Sequence, residues 1–111
     1  MTKIFGLIAK LENCENLDFL SDKNKALSLV RDAAKESKAT IFSEHVYEFN
    51  PHGISAIVIV GESHFAIHTW PEKNMSYFVA TVCKKSDLKK GLEFIVKKLK
   101  AKKVIEKYIE I

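Results

Sequence analysis

Cysteine, proline and glycine are scarce in this 111-residue chain: two, two and four residues respectively. Cys14 and Cys83 stand far apart and form no paired spacing, which argues against a disulfide framework or a thiolate zinc site and for reduced thiols. No repeat, low-complexity tract or Pro/Gly/Ser-rich linker interrupts the chain, so residues 1–111 are expected to form one domain with one core. The longest apolar run, Ala56 to Val60, is far short of the roughly 20 residues of a bilayer span. The N-terminus lacks the zones of a secretion signal, so the expectation is a soluble cytoplasmic protein with no membrane partner. The net charge of +4 comes mostly from lysines after position 83, interleaved with Leu, Ile and Val at helical spacing and without Arg or stacking aromatics. This pattern fits a solvated helix face better than a nucleic-acid patch. His45, His52, His64 and His68 have no convincing ligand spacing, so no metal is expected.

Periodicity gives the elements. Lys3 to Lys10 is β-prone, and Glu12 to Asn16 reads as a loop. Ser21 is a candidate cap for a helix carrying Ala26, Leu27, Val30, Ala33 and Ala34 and ending near Lys38. Strands are predicted at Thr40 to Phe49 and Ile54 to Val60, joined by an Asn50-Pro51-His52-Gly53 turn. A tight connection over Gly61 to His64 leads to a strand from Phe65 to Trp70, with Phe65, Ile67 and Thr69 on one face and Ala66, His68 and Trp70 on the other. Tyr77 to Cys83 is a further strand, Ser86 caps a second helix, and Val104 to Ile111 returns as the last strand. Two helices in a β-α-β-β-β-β-α-β order cannot cover both faces of a predominantly antiparallel sheet, which predicts an α+β, two-layer α/β sandwich. The uncovered face invites a second copy, sheet against sheet, in a four-layer homodimer.

The chemistry concentrates between Gly61 and Glu72, where a hydroxyl, two imidazoles and two carboxylates share twelve residues. A turn serine is most often only a turn residue. No Gly-x-Ser-x-Gly elbow surrounds Ser63, which argues against an ordinary serine hydrolase. If the turn strains the Glu62–Ser63 peptide, the Ser63 hydroxyl can attack the preceding carbonyl and move that acyl group from nitrogen to oxygen. Removal of the Ser63 α-proton from the ester would release the Glu62 carboxylate and leave dehydroalanine, which hydrolyses to a pyruvoyl group with loss of ammonia. His68 is the candidate base, because imidazole titrates near working pH. His64 and Trp70 read as turn and packing residues.

Glu-Ser-His-Phe-Ala-Ile-His-Thr-Trp-Pro-Glu at 62–72 closely resembles the processing segment of the small prokaryotic S-adenosylmethionine decarboxylases. Phe49-Asn50-Pro51-His52-Gly53-Ile54-Ser55 resembles that family's Phe-x-Pro-x-Gly-(Val/Ile)-(Ser/Thr) run, at matching spacing. The resemblance implies self-cleavage between Glu62 and Ser63, giving a β chain of residues 1–62 and an α chain of residues 63–111 headed by a pyruvoyl group made from Ser63. It implies that Ser55 and His68 assist processing and that Cys83 is the catalytic acid. It also implies that Phe49 stacks on the adenine of S-adenosylmethionine and that Glu72 holds the ribose hydroxyls. Taken alone, Cys83 would be a small core filler, Phe49 a packing residue and Glu72 a solvated turn carboxylate. In the implied reaction the substrate amine forms a Schiff base with the pyruvoyl ketone, carbon dioxide leaves, and protonation yields the aminopropyl donor for spermidine biosynthesis.

After Glu72 the family's Gly-Tyr pair is Asn74-Met75 here, and its Asp-x-Phe-Thr-Cys-Gly run is Val79-Ala80-Thr81-Val82-Cys83-Lys84, so the cysteine alone is kept. Three readings stand at this point. They are S-adenosylmethionine decarboxylation, pyruvoyl-dependent decarboxylation of ornithine or arginine, and an unprocessed nucleoside-binding or regulatory homologue.

Overall fold

A computed structural model describes residues 3–83 and 87–111. Strand β1 (Phe5–Cys14) leads through a single helical turn, α1 (Asp18–Ser21), into α2 (Lys23–Glu36). Four strands follow: β2 (Ile41–Glu48), β3 (Ile54–Val60), β4 (Ser63–Trp70) and β5 (Met75–Val82), with a 3-10 turn at Pro71–Lys73 between the last two. Helix α3 (Leu88–Leu99) and strand β6 (Ala101–Glu110) complete the chain.

The six strands form one sheet in the order β2-β3-β4-β5-β1-β6, every neighbouring pair antiparallel. The two-layer sandwich predicted from the element order is therefore observed. Leu29, Val30, Ala33 and Ala34 of α2 and Leu88, Leu92, Ile95 and Leu99 of α3 pack on Leu7, Ala9, Leu11, Val58, Phe65, Ile67 and Phe78 of the sheet. The alternation proposed for β4 holds as well: Phe65, Ile67 and Thr69 are buried beneath the helices. Thr69 pins three elements, its hydroxyl accepting from the Ile54 amide at 3.0 Å and donating to the Leu20 carbonyl at 2.7 Å.

Several boundaries differ from the sequence reading. The expected loop at Glu12 to Asn16 is largely strand, because Glu12 and Cys14 continue the ladder with Lys103 and Ala101 of β6. Ser21 ends α1 instead of capping α2; Asp22 is the cap, its carboxylate accepting from the amides of Asn24 and Lys25. The Ser86 cap lies outside the described residues, and the Asp87 carboxylate accepts from the Lys90 amide at the start of α3.

Helices α2 and α3 approach closely where Gly91 faces the end of α2. A Cβ on Gly91 would strike the Ser37 hydroxyl and lie 2.9 Å from the Ala33 carbonyl oxygen, a backbone atom that cannot swing aside. Overpacking of this kind costs about 1–3 kcal/mol, against the roughly 1 kcal/mol that alanine gains over glycine in a helix. With both contacts under 3.0 Å the upper part of that range applies, so Gly91→Ala should lower stability by a net of up to about 2 kcal/mol in urea unfolding, and an unchanged midpoint would show that the two helices have room to part.

Candidate active site

The strand register lays three rows of residues across the face of the sheet that the helices leave bare. One row runs Ser43, Ile59, His64, Thr81, Gly6 and Ile109; the next His45, Ile57, Ala66, Val79, Ile8 and Lys107; the third Tyr47, Ser55, His68, Tyr77, Lys10 and Ile105. Successive rows lie about 7 Å apart, two residues along each strand. The middle row is mostly apolar, and the outer two carry the chemistry.

At one end, β3 turns into β4 through Gly61 and Glu62, with Val60 paired to Ser63. So short a reversal needs left-handed backbone, which favours glycine. Glu62 supplies it, at φ 60°. A non-glycine residue held there stores about 1–2 kcal/mol, and here the strained residue owns the carbonyl that precedes Ser63. The half-buried Ser63 hydroxyl is hydrogen-bonded to the Thr81 hydroxyl, and the same Thr81 oxygen lies 3.4 Å from His64 Nδ1. Across the turn, the Cys83 thiol donates to a Glu62 carboxylate oxygen at 3.3 Å. Glu62, Ser63 and Cys83, the cleavage-site pair and the acid that the resemblance implies, are thus grouped around one turn.

The other nominated residues gather elsewhere. Ser55 Oγ and His68 Nδ1 are 2.7 Å apart, as their direct cross-strand pairing requires. The His68 ring stacks on Tyr77 with centroids 4.6 Å apart, and Trp70 stacks on the same tyrosine at 5.7 Å. Burial among these rings holds the His68 pKa below its ordinary value. Phe49 is exposed beyond the end of β2, edge-on to Tyr47 at 4.8 Å, and Glu72 is exposed in the 3-10 turn that follows β4.

Five residue steps along β4 separate Ser63 from His68, about 17 Å of extended chain. Within one copy the two groups are therefore distinct: Glu62, Ser63 and Cys83 at one end, Phe49, Ser55, His68 and Glu72 toward the other. An open depression of about 470 Å³, lined by His64, Ala66, Ser55, His68, Tyr77 and Tyr47 among others, spans the ground between them. Thr81, His64 and Tyr77 are the participants that sequence reasoning left out. For Thr81 and Tyr77 the signal lies in pairing, since each meets a nominated strand only once the register is known; His64 adjoins Ser63 in the sequence, and only its pairing with Thr81 distinguishes it from a turn residue. Cys14, by contrast, is buried in the core with its thiol pushed up to about 11 by desolvation, a structural role.

A family profile described as S-adenosylmethionine decarboxylase matches residues 6–110. A protein of Thermodesulfovibrio yellowstonii named S-adenosylmethionine decarboxylase proenzyme is 48% identical over 66 residues, covering 60% of this chain and 48% of that protein. One of the same name from Pyrococcus furiosus is 36% identical over 86 residues, covering 77% of this chain and 62% of the relative. The chain thus spans about half to just under two thirds of the length of these curated relatives. The crystal structure of an adenosylmethionine decarboxylase from Aquifex aeolicus superposes with a TM-score of 0.88 at 26% identity, covering 97% of this chain and 89% of that one.

The lowered pKa of His68 has a sign that can be checked. Between its folded value and the ordinary 6.5, the unfolded chain binds the extra proton and the folded chain does not. The stability associated with neutral His68 is thus complete above pH 6.5 and is lost as pH falls toward the folded value. An NMR titration of the His68 ring should give a midpoint below 6.5, and a midpoint at or above 6.5 would contradict the desolvated environment.

Proposed function

The chain belongs to the S-adenosylmethionine decarboxylase family, and from that premise we propose that it is a proenzyme that cuts itself between Glu62 and Ser63 and then decarboxylates S-adenosylmethionine. The observation that carries this reading is the strained Glu62 carbonyl beside a hydrogen-bonded Ser63 hydroxyl, with the Cys83 thiol across the same turn. Cleavage yields residues 1–62 and 63–111 and turns Ser63 into an N-terminal pyruvoyl group. The site suits that group, since the carbonyl to be attacked belongs to a residue in left-handed backbone and a thiol lies beside the same residue's side chain. Its ketone supplies an electron sink for the decarboxylation. The product is the aminopropyl donor for spermidine biosynthesis.

The remaining work falls to the chain's own side chains. Cys83, whose thiol lies beside Glu62, is the proposed donor of the proton to the carbon from which carbon dioxide leaves. His68, kept neutral by burial and held by Ser55, is a base for the Ser63 α-proton during maturation. The distance of about 17 Å rules out that transfer within one copy. A second copy solves it. When two such faces pack about a two-fold axis lying along the apolar middle row, the strands reverse direction and the His68 row of each copy faces the His64–Thr81 row of the other. The same operation carries Phe49 and Glu72 toward the other copy's Ser63. There a flat ring and a carboxylate suit adenine and ribose, a stack of that kind being worth about 1–3 kcal/mol. Burial of Ile8, Ile57, Ile59 and Val79 drives the association, giving the four-layer homodimer expected from the sequence. The two reduced thiols suit a cytoplasmic setting.

Intact mass spectrometry tests the first step. The purified chain should resolve into two fragments with a ketone-bearing N-terminus at position 63, and Ser63→Ala should remain a single 12.6 kDa species. Fragmentation of Ser63→Ala would refute the cleavage assignment, and a wild-type chain that stays whole would favour the non-catalytic homologue. Cys83→Ala should still mature but lose about 100-fold or more in turnover, read as carbon dioxide released from carboxyl-labelled S-adenosylmethionine. Normal turnover would remove the thiol from the proton-donor role, and release only from ornithine or arginine would reassign the substrate.

A further inference from the structure

Ser63 must lose a proton as its oxygen attacks the Glu62 carbonyl, and His68 does not lie near it in the same copy. Thr81 does. Its hydroxyl is hydrogen-bonded to the Ser63 hydroxyl and lies 3.4 Å from His64 Nδ1, so oxygen, oxygen and nitrogen form one continuous line across the β4–β5 ladder. The register accounts for the pairing of Thr81 with His64, and the start of β4 at the turn brings the Ser63 hydroxyl to the same oxygen. His64 and Thr81 are direct cross-strand partners on the bare face, and Ser63 immediately precedes His64. Two hydroxyls in contact and aimed at an imidazole form a proton wire, whereas a threonine serving only as strand filler would need neither neighbour.

We infer that Thr81 and His64 form the relay that activates Ser63 for the acyl shift, a step distinct from the later α-proton removal by His68. The inference rests on the self-cleavage reading given above. With the His64 proton on Nε2, the imidazole accepts at Nδ1. As the Ser63 Oγ–carbonyl carbon bond forms, the Ser63 hydroxyl proton passes to the Thr81 oxygen and the Thr81 proton passes to His64 Nδ1. The tetrahedral centre then collapses with cleavage of the bond from the Glu62 carbon to the Ser63 nitrogen. That nitrogen takes up a proton returned through Thr81, and the imidazole is neutral again. The net change is isomerisation of an amide to an ester and a free amine, with no proton or electron gained or lost. Division of labour follows: one imidazole serves each proton transfer of maturation, and neither must cross the sheet.

The test is the time course of fragment formation in freshly expressed full-length chains. Thr81→Val keeps the β-branched shape and removes the relay oxygen; it should slow cleavage about 100-fold, the usual scale of a lost acid–base contribution. Thr81→Ser should restore most of the rate, which a purely packing role for the threonine methyl would not allow. Hydroxylamine, which severs esters and spares amides, should release no fragments from Thr81→Val, because the block precedes the ester. His64→Phe should be slowed like Thr81→Val, and the double variant should be no slower than either, as expected of residues acting in one unit. Thr81→Ala provides a second hydroxyl-free chain should the valine variant fold poorly. Wild-type cleavage by either hydroxyl-free variant, or accumulation of a hydroxylamine-labile ester in it, would overturn the relay while leaving self-cleavage intact. A wild-type chain that never cuts itself would overturn both readings together.

Discussion

The two-residue reversal between β3 and β4 is the constraint on which the rest of the site depends. Pairing of Val60 with Ser63 leaves Gly61 and Glu62 to turn the chain, and the left-handed geometry falls on the residue with the larger side chain. A glycine at position 62 would make that turn without strain. Placing glutamate there keeps the carbonyl before Ser63 in a costly conformation and presents a carboxylate to the Cys83 thiol. The cost is tolerated because the flanking strands are anchored by a ladder of β-branched and aromatic residues whose inward side chains are buried.

That ladder also sorts the remaining chemistry. A period of two along each strand sends Phe65, Ile67 and Phe78 to the helices and His64, His68, Thr81 and Tyr77 to the bare face. A slip of one residue would bury the imidazoles and expose the phenylalanines, so the apolar core that stabilises the sheet is also what aims the polar groups. Thr69 and the close contact of α2 with α3 hold this arrangement from behind.

Much of this was legible in the sequence, for identifiable reasons. Strand β3 was read to its observed ends because Ile-Ser-Ala-Ile-Val-Ile-Val is bounded by a Pro-Gly turn and by Gly61. The alternation of β4 was equally plain, and the 62–72 motif singled out Ser63. Three things were hidden. The continuation of β1 through Glu12 depends on pairing with β6, some ninety residues later, and polar content alone points to a loop. The cap of α2 moved from Ser21 to Asp22 because a separate helical turn occupies Asp18–Ser21. Most consequential, closeness in sequence suggested that His68 and Ser63 act on each other, whereas an extended strand carries five residues much farther than a helix would. Thr81 escaped notice for the converse reason, being eighteen positions away and in direct contact.

The length of β4 has a consequence for the timing of the proposed maturation. On that reading a lone chain can make the ester at Ser63 and cannot finish the step assigned to His68, which lies five residues away along an extended strand. Completion would then be a bimolecular event whose pace, at low abundance, rises with the square of the amount present. Such a chain would leave the ribosome dormant until it met its like, and the cell's stock of the protein would set the delay before activity begins.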